Sequence, residues 1–395
     1  MTTYPTVKIR PGKGQRLAAG APWAYADEIA MDRRTKALPP GSLVRLVEGE
    51  RLHGLAAFNR QSQIAARLID RDATHEVDQA WFAGRLKRAL VLREALFDTS
   101  FYRLVHAEGD GLPGLVIDRF GDALAIQPNA AWVDRLIDPL IEAAREVTGA
   151  SDIIINATSR VRALEGLESE MRVACGQFDA PIPVEMNGAT YMADLAGGQK
   201  TGLFFDQRPN HAFAAKLARG ARVLDVFTHV GGFALAALAA GARDALAVDS
   251  SEPALALAQQ GAERTGVAAQ LQIRREDAFK AMEALINEDQ RFDMVICDPP
   301  AFAPSKQTLP QGLRAYERVA RLAAGLVAPG GWLVLCSCSH AADAQAFHRA
   351  SAKGILRAHR RVQLVHSGRA GPDHPQHPHL PENSYLKALF FRLDG

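Results

Sequence analysis

The chain has 395 residues, 48% of them hydrophobic and 23% charged, with 46 Lys and Arg against 44 Asp and Glu. This is a globular composition, too long for one ordinary domain. No run of about 18 apolar residues exists to span a bilayer, the first residues form no secretory leader, and the four irregularly spaced cysteines make no disulfide framework, so the expectation is a cytoplasmic protein with reduced thiols and no membrane contact.

Residues 1–75 read as a small β-rich domain. "GQRLAAGAPWAY" holds a short helix, "SLVRLVEGERLHGLAAF" is a hairpin turning at Gly49, and "QIAARLI" is a further strand. Residues 76–185 read as a central α+β domain. It starts with the helical spacing of Trp81, Leu86, Leu90 and Leu96 and continues through strands at "YRLVH", "LPGLVIDRF" and "ALAIQP". A single amphipathic helix, "AAWVDRLIDPLIEAAREV", and a strand, "DIIIN", complete it, and "APIPVEMNG" reads as a linker. Charge is uneven: 12 Lys and Arg against 7 acids in 1–75, 11 against 18 in 76–185, and 23 against 19 in 186–395. Basic first and last segments suit an anionic partner such as nucleic acid.

Residues 186–395 alternate strand and helix, which predicts parallel βαβ units in a doubly wound, Rossmann-like sheet. Four acids mark successive strand ends: Asp225, Asp249, Asp277 and Asp298. Ligands of such sheets sit beyond those ends. Gly231 and Gly232 allow close backbone approach, and an acid after the second strand can accept from ribose hydroxyls, so a nucleoside-bearing cofactor is expected. The spacing is neither that of a dinucleotide fingerprint nor that of a P-loop. The His-rich "DHPQHPHLP" reads as a loop, and no metal is expected.

"LVLCSCSH" supplies the next strand, with Cys336 and Cys338 one residue apart. Neighbouring strands lie about 4.8 Å apart, which would bring Cys338 and Asp298 into one pocket. Asp298-Pro299-Pro300 alone would suit methylation of an amino nitrogen. A cysteine is needed instead for attack on C6 of a pyrimidine. Cys336, Cys297 and Cys175 read as packing residues.

The four strand-end acids resemble those of class I S-adenosylmethionine-dependent methyltransferases. The resemblance implies ribose binding by Asp249, adenine binding by Asp277 and methionine binding by the Asp225 loop. It adds Phe227, Gly231, Gly232, Ser250, Ala278, Gln207 and Arg208 to the cofactor set. Over the whole chain, "APWAY", "EGDGLPGLVIDRFGD", "GGQKTGLFFDQR", "VFTHVGGFALAA", "DPPAF" and "SCS" resemble the bacterial large-subunit rRNA methyltransferase I family. That family joins a PUA domain, a central domain and a methyltransferase domain. The resemblance implies formation of 5-methylcytidine in large-subunit rRNA, with Cys338 as nucleophile and Asp298 beside it. Lys200, Pro299, Pro300 and Phe302 form the substrate set. This sequence departs from the family at Ala301, where lysine is usual, at His229-Val230, and at His340. Pro300 stands where many RNA cytosine-5 enzymes have a second cysteine. A homodimer is one option for assembly. The competing readings are an N-methyltransferase of RNA or DNA acting through Asp298, and a noncatalytic RNA-binding protein on the same fold.

Overall fold

The computed structural model describes residues 4–197 and 202–394, which leaves the expected substrate residue Lys200 outside the described residues. The chain divides into two compact units, one of residues 1–180, 195–201 and 372–381, the other of 181–194, 202–371 and 382–395.

The first unit carries two five-stranded sheets. One runs in the order Thr6–Lys8, Ser42–Glu48, Arg51–Phe58, Ala66–Asp70, Trp23–Ala24, and closes over Val7, Leu46 and Phe58. The second runs Glu170–Cys175, Asp152–Ala157, Ala123–Pro128, Leu115–Phe120, Phe101–His106. The helix Gln79–Leu96 shares its core, starting where the Asp78 carboxylate accepts from the Trp81 N–H and burying Phe82, Leu86 and Leu90. Arg67 of the first sheet and Asn59, the residue after its strand Arg51–Phe58, both bond Glu165, which is 3% exposed. The expected single helix after Pro128 is two, Ala131–Arg135 and Ile137–Thr148, broken at Leu136. Pro139 explains the break: its ring excludes the carbonyl of residue 135, and it has no N–H to donate.

The second unit is built on a seven-stranded sheet in the order Leu271–Arg275, Asp244–Asp249, Arg222–Val226, Phe292–Cys297, Val327–Ser337, Lys387–Asp394, Arg361–Gly368. The first five strands are parallel and the last two antiparallel to their neighbours. Parallel register brings the ends of the strands to one edge: Val226 pairs with both Val248 and Cys297, and Cys297 with Leu335. Helices cover both faces, and Val295, Leu333, Phe391 and Tyr316 lie in the core between them. The expected linker is a strand, Ile182–Met186, paired with Ala189–Ala193. Its Pro183 is tolerated because a two-stranded ribbon leaves one edge of each strand unpaired. Among the described residues no helix is long and apolar enough to cross a membrane, and no group of three or more His, Cys, Asp or Glu could hold a metal.

Candidate active site

Asp225 is buried one residue before the end of its strand. Its Oδ2 accepts from the Thr228 hydroxyl at 2.6 Å and from the Ala234 N–H at 2.9 Å, while its buried Oδ1 has no hydrogen-bond partner among the described residues. Burial, reinforced by the Asp249 charge, raises its pKa to about 7. A buried acceptor without a donor is costly, and a cationic ligand would relieve it. The loop that follows is strained: Phe227, His229 and Gly231 have φ of 64°, 52° and 85°. Left-handed backbone at the two non-glycine positions costs about 1–3 kcal/mol each and persists only where the surroundings impose it. Asp249 imposes it here, its Oδ2 accepting from the His229 N–H at 2.9 Å while Oδ1 accepts from the Ser251 N–H at 2.9 Å. Gly232 is required by packing, since a Cβ there would lie 2.8 Å from the His211 ring. His211 is buried, with its pKa pushed down to about 3 by burial.

Ser250 is exposed beside Asp249. Asp277 caps the helix Ala278–Asn287, Oδ1 accepting from the Phe279 and Lys280 N–H groups at 3.1 Å each, and Ala278 is buried behind it. The rings of Phe227, Phe279 and Phe302 meet with centroids 6.3–6.5 Å apart, Phe227 edge-on to the other two, an apolar cluster linking three of the strand-end loops.

Gln207, expected with the cofactor, touches the acceptor acid. Its Nε2 donates to Asp298 Oδ2 at 2.9 Å, and its Oε1 accepts from Asn210 at 2.6 Å. Arg208 lies over the Phe205 ring at 5.5 Å. Asp206 accepts at 2.5 Å from Tyr385, whose ring packs against His340.

Alternation along the strand sorts the Cys-Ser-Cys-Ser run. Ser337 and Ser339 are fully buried and face the helix Leu309–Leu326. Ser337 Oγ donates to the Tyr316 hydroxyl at 2.9 Å, that hydroxyl lies 2.7 Å from Ser339 Oγ, and Ser339 Oγ accepts from the Ala303 N–H at 2.9 Å. The serines therefore tie the end of this strand to the loop that carries Pro299 and Pro300. The cysteines take the other face. Cys336 is 1% exposed, and burial, with the Asp298 charge second, raises its thiol pKa well above the usual range. Cys338 is half-buried just beyond the strand, with Sγ 4.0 Å from the Pro299 carbonyl oxygen.

One residue escaped the sequence reading. Lys387, opposite Ser337 on the neighbouring strand, is buried, and its Nζ donates to the Ser339 and Ala342 carbonyls at 2.7 Å each. Its only signal in the sequence is a lone cation in the apolar run "YLKALFF".

Residues 172–392 match the S-adenosylmethionine-dependent methyltransferase family, and residues 7–71 match a PUA-like domain. The ribosomal RNA large subunit methyltransferase I of Erwinia tasmaniensis is 33% identical over 98% of this chain and 100% of its own. That of Aeromonas hydrophila is 35% identical over 98% and 99%. Among solved structures, a methyltransferase in complex with SAH covers 98% of this chain and 100% of its own at a TM-score of 0.83 and 19% identity. A second, from Streptococcus mutans, gives 0.82 over the same shares, also at 19% identity. The chain belongs to the ribosomal RNA large subunit methyltransferase I family of S-adenosylmethionine-dependent methyltransferases.

Proposed function

We propose that this protein methylates C5 of a cytosine in large-subunit rRNA, with Cys338 as the nucleophile. The observation that carries the reading is the contrast between the two cysteines: Cys336 is sealed in the sheet with its proton held, whereas Cys338 stands half-buried beyond the strand end, beside the Asp298-Pro299-Pro300 loop. The relatives' names and the basic PUA-like segment support rRNA as the substrate.

The residues fit the cofactor. The partnerless oxygen of Asp225 suits the cationic methionine end, the Asp249 carboxylate keeps acceptor capacity for ribose, and the three phenylalanines offer apolar contact for a base. S-adenosylmethionine, when bound, supplies the electrophilic methyl group that C5 takes. The chain's own part is covalent. The Cys338 thiolate forms an S–C6 bond, and the C5–C6 π electrons move to C5, which becomes nucleophilic. After methylation a base removes the C5 proton, the freed pair restores the C5–C6 double bond, and the S–C6 bond breaks to return the thiolate. Asp298, oriented by Gln207, accepts from the cytosine amino group and holds the ring over Sγ. Asp277 takes the adenine side, and Pro299, Pro300 and Phe302 shape the substrate face.

The test is nucleoside analysis of rRNA from a strain lacking the protein, methylated by the pure enzyme. The label should appear in 5-methylcytidine. Label on a base nitrogen would replace the cysteine mechanism with direct attack assisted by Asp298.

A further inference from the structure

We infer that Tyr191 is a positioning residue of the cofactor site: from the ribbon of Ile182–Met186 and Ala189–Ala193 it holds the glycine turn at residues 231 and 232 in the shape that meets the cofactor. The inference rests on the reading that this turn cradles S-adenosylmethionine. The ribbon packs as part of the second unit. Tyr191, paired with Val184 across the ribbon, is fully buried. Its hydroxyl donates to the Gly232 carbonyl at 3.1 Å, across 41 residues of sequence. Burial, with the Asp225 charge second, raises the pKa of that hydroxyl, so it keeps its proton and stays a donor. The strand that carries Tyr191 is itself pinned. The Thr190 N–H donates to Thr265 Oγ1 at 2.9 Å, and a Cβ on Gly261 would lie 2.8 Å from the Thr190 carbonyl oxygen, so the helix Glu252–Thr265 lies directly against the strand.

The turn needs such a hold. It leads from the strand Arg222–Val226 into the helix Gly232–Ala239 through left-handed backbone at Phe227, His229 and Gly231. Strained backbone persists only where its surroundings fix it. Asp249 takes the His229 N–H, and Asp225 takes the Thr228 hydroxyl and the Ala234 N–H. Both acids belong to the set proposed to meet the cofactor, whereas Tyr191 acts on the turn from the ribbon. Among the described residues, Tyr191 is the one side chain that hydrogen-bonds Gly231 or Gly232. The other close neighbours of the pair, His211, Leu235 and Ala258, meet it by packing. Asp225 links this hold to binding. The Ala234 N–H occupies Asp225 Oδ2, so a first helical turn fixed at Gly232 also fixes the carboxylate whose Oδ1 is left for the cationic end of the cofactor. Loss of the Tyr191 hydroxyl frees the turn without removing a group proposed to touch cofactor or base. Affinity for the cofactor should fall, and the chemical step should stay.

The experiment compares the full chain with Tyr191→Phe and with Thr265→Val, which loosens the strand and leaves the tyrosine in place. Hydrogen exchange of the peptide 227–239 is followed without cofactor, S-adenosylmethionine affinity by calorimetry, and kcat at saturating cofactor. Tyr191→Phe should speed exchange of that peptide and leave the helix Leu309–Leu326 unchanged. It should weaken affinity about threefold to tenfold, the worth of one neutral hydrogen bond, and keep kcat within about twofold. Thr265→Val should move exchange and affinity in the same direction by a smaller factor, and it decides the matter if the Phe variant does not fold. Unchanged affinity or unchanged exchange in the folded variant overturns the inference. So does exchange that rises throughout the chain, or a loss of kcat as large as the loss of affinity, since either marks a general structural role. Asp249→Ala, measured alongside, separates this inference from the reading beneath it. If that variant loses affinity and Tyr191→Phe does not, only the role of Tyr191 falls. If neither loses affinity, the site assigned to the cofactor falls with it.

Discussion

Gln207 donates its side-chain amide to the Asp298 carboxylate at 2.9 Å, across 91 residues of sequence. The bond joins the segment "FFDQR" to the Asp-Pro-Pro loop, and Asn210 holds Gln207 from behind at 2.6 Å. Replacing Gln207 by leucine leaves Asp298 short of one donor. Turnover should fall by tenfold or more, with cofactor affinity changed less than threefold, as read by methyl incorporation and calorimetry. The tenfold loss corresponds to about 1.5 kcal/mol for a hydrogen bond to a charged group. Equal losses in both would place Gln207 in the cofactor site.

Tyr316→Phe removes the hydroxyl that connects Ser337, Ser339 and, through Ser339, the Ala303 N–H. Both serines are fully buried, so each loses a partner that water cannot replace. The expected cost is about 1–3 kcal/mol in urea unfolding. A variant as stable as wild type would show that the network is dispensable.

Asp249→Ala removes the acceptor proposed for the ribose and also the carboxylate that holds the His229 and Ser251 N–H groups. S-adenosylmethionine affinity should drop roughly tenfold or more, from the 1.5–3 kcal/mol of a charge-assisted bond. Calorimetry giving an unchanged affinity in a folded variant removes Asp249 from the site.

His211 titrates at about 3 in the folded chain against 6.5 unperturbed. The unfolded chain binds this proton first, so stability is intact above about 6.5 and is lost as pH falls toward 3. His211→Phe cannot titrate. Between pH 7.5 and 5.0 wild type should lose about 2 kcal/mol more than the variant, from 1.36 kcal/mol per unit. Parallel losses in the two proteins would contradict the assignment.

The strand-end acids were legible because strand–helix alternation of itself brings parallel carboxyl ends to one edge. The contact between Gln207 and Asp298, and Lys387 altogether, were not, since the partners lie 91 and 48 residues away and only the folded sheet joins them. The strands Glu170–Cys175 and Arg361–Gly368 were missed for a different reason. Each is a sheet edge with mostly exposed or half-exposed residues, so no apolar alternation marks it. The role of the serines needed Tyr316, which no local pattern supplies.

The PUA-like segment presents Arg33, Arg34 and Lys36 exposed on one short helix. Deleting the segment would strip Glu165 of Arg67 and Asn59, so charge replacement is the cleaner test. Changing all three cations to glutamine should weaken rRNA binding and lower the slope of log affinity against log salt by up to about 2, at roughly 0.7 per phosphate contact. An unchanged slope would exclude this helix from the RNA surface.

The most direct measurement is covalent trapping. A 5-fluorocytidine-substituted rRNA fragment offers C6 to the thiol but cannot release fluorine as a proton, so the adduct should persist on a denaturing gel with the cofactor present. Wild type and Cys336→Ala should both give the shifted band, and Cys338→Ala should give none while still binding S-adenosylmethionine. A band that survives Cys338→Ala, or none from active wild-type enzyme, would contradict nucleophilic catalysis by Cys338.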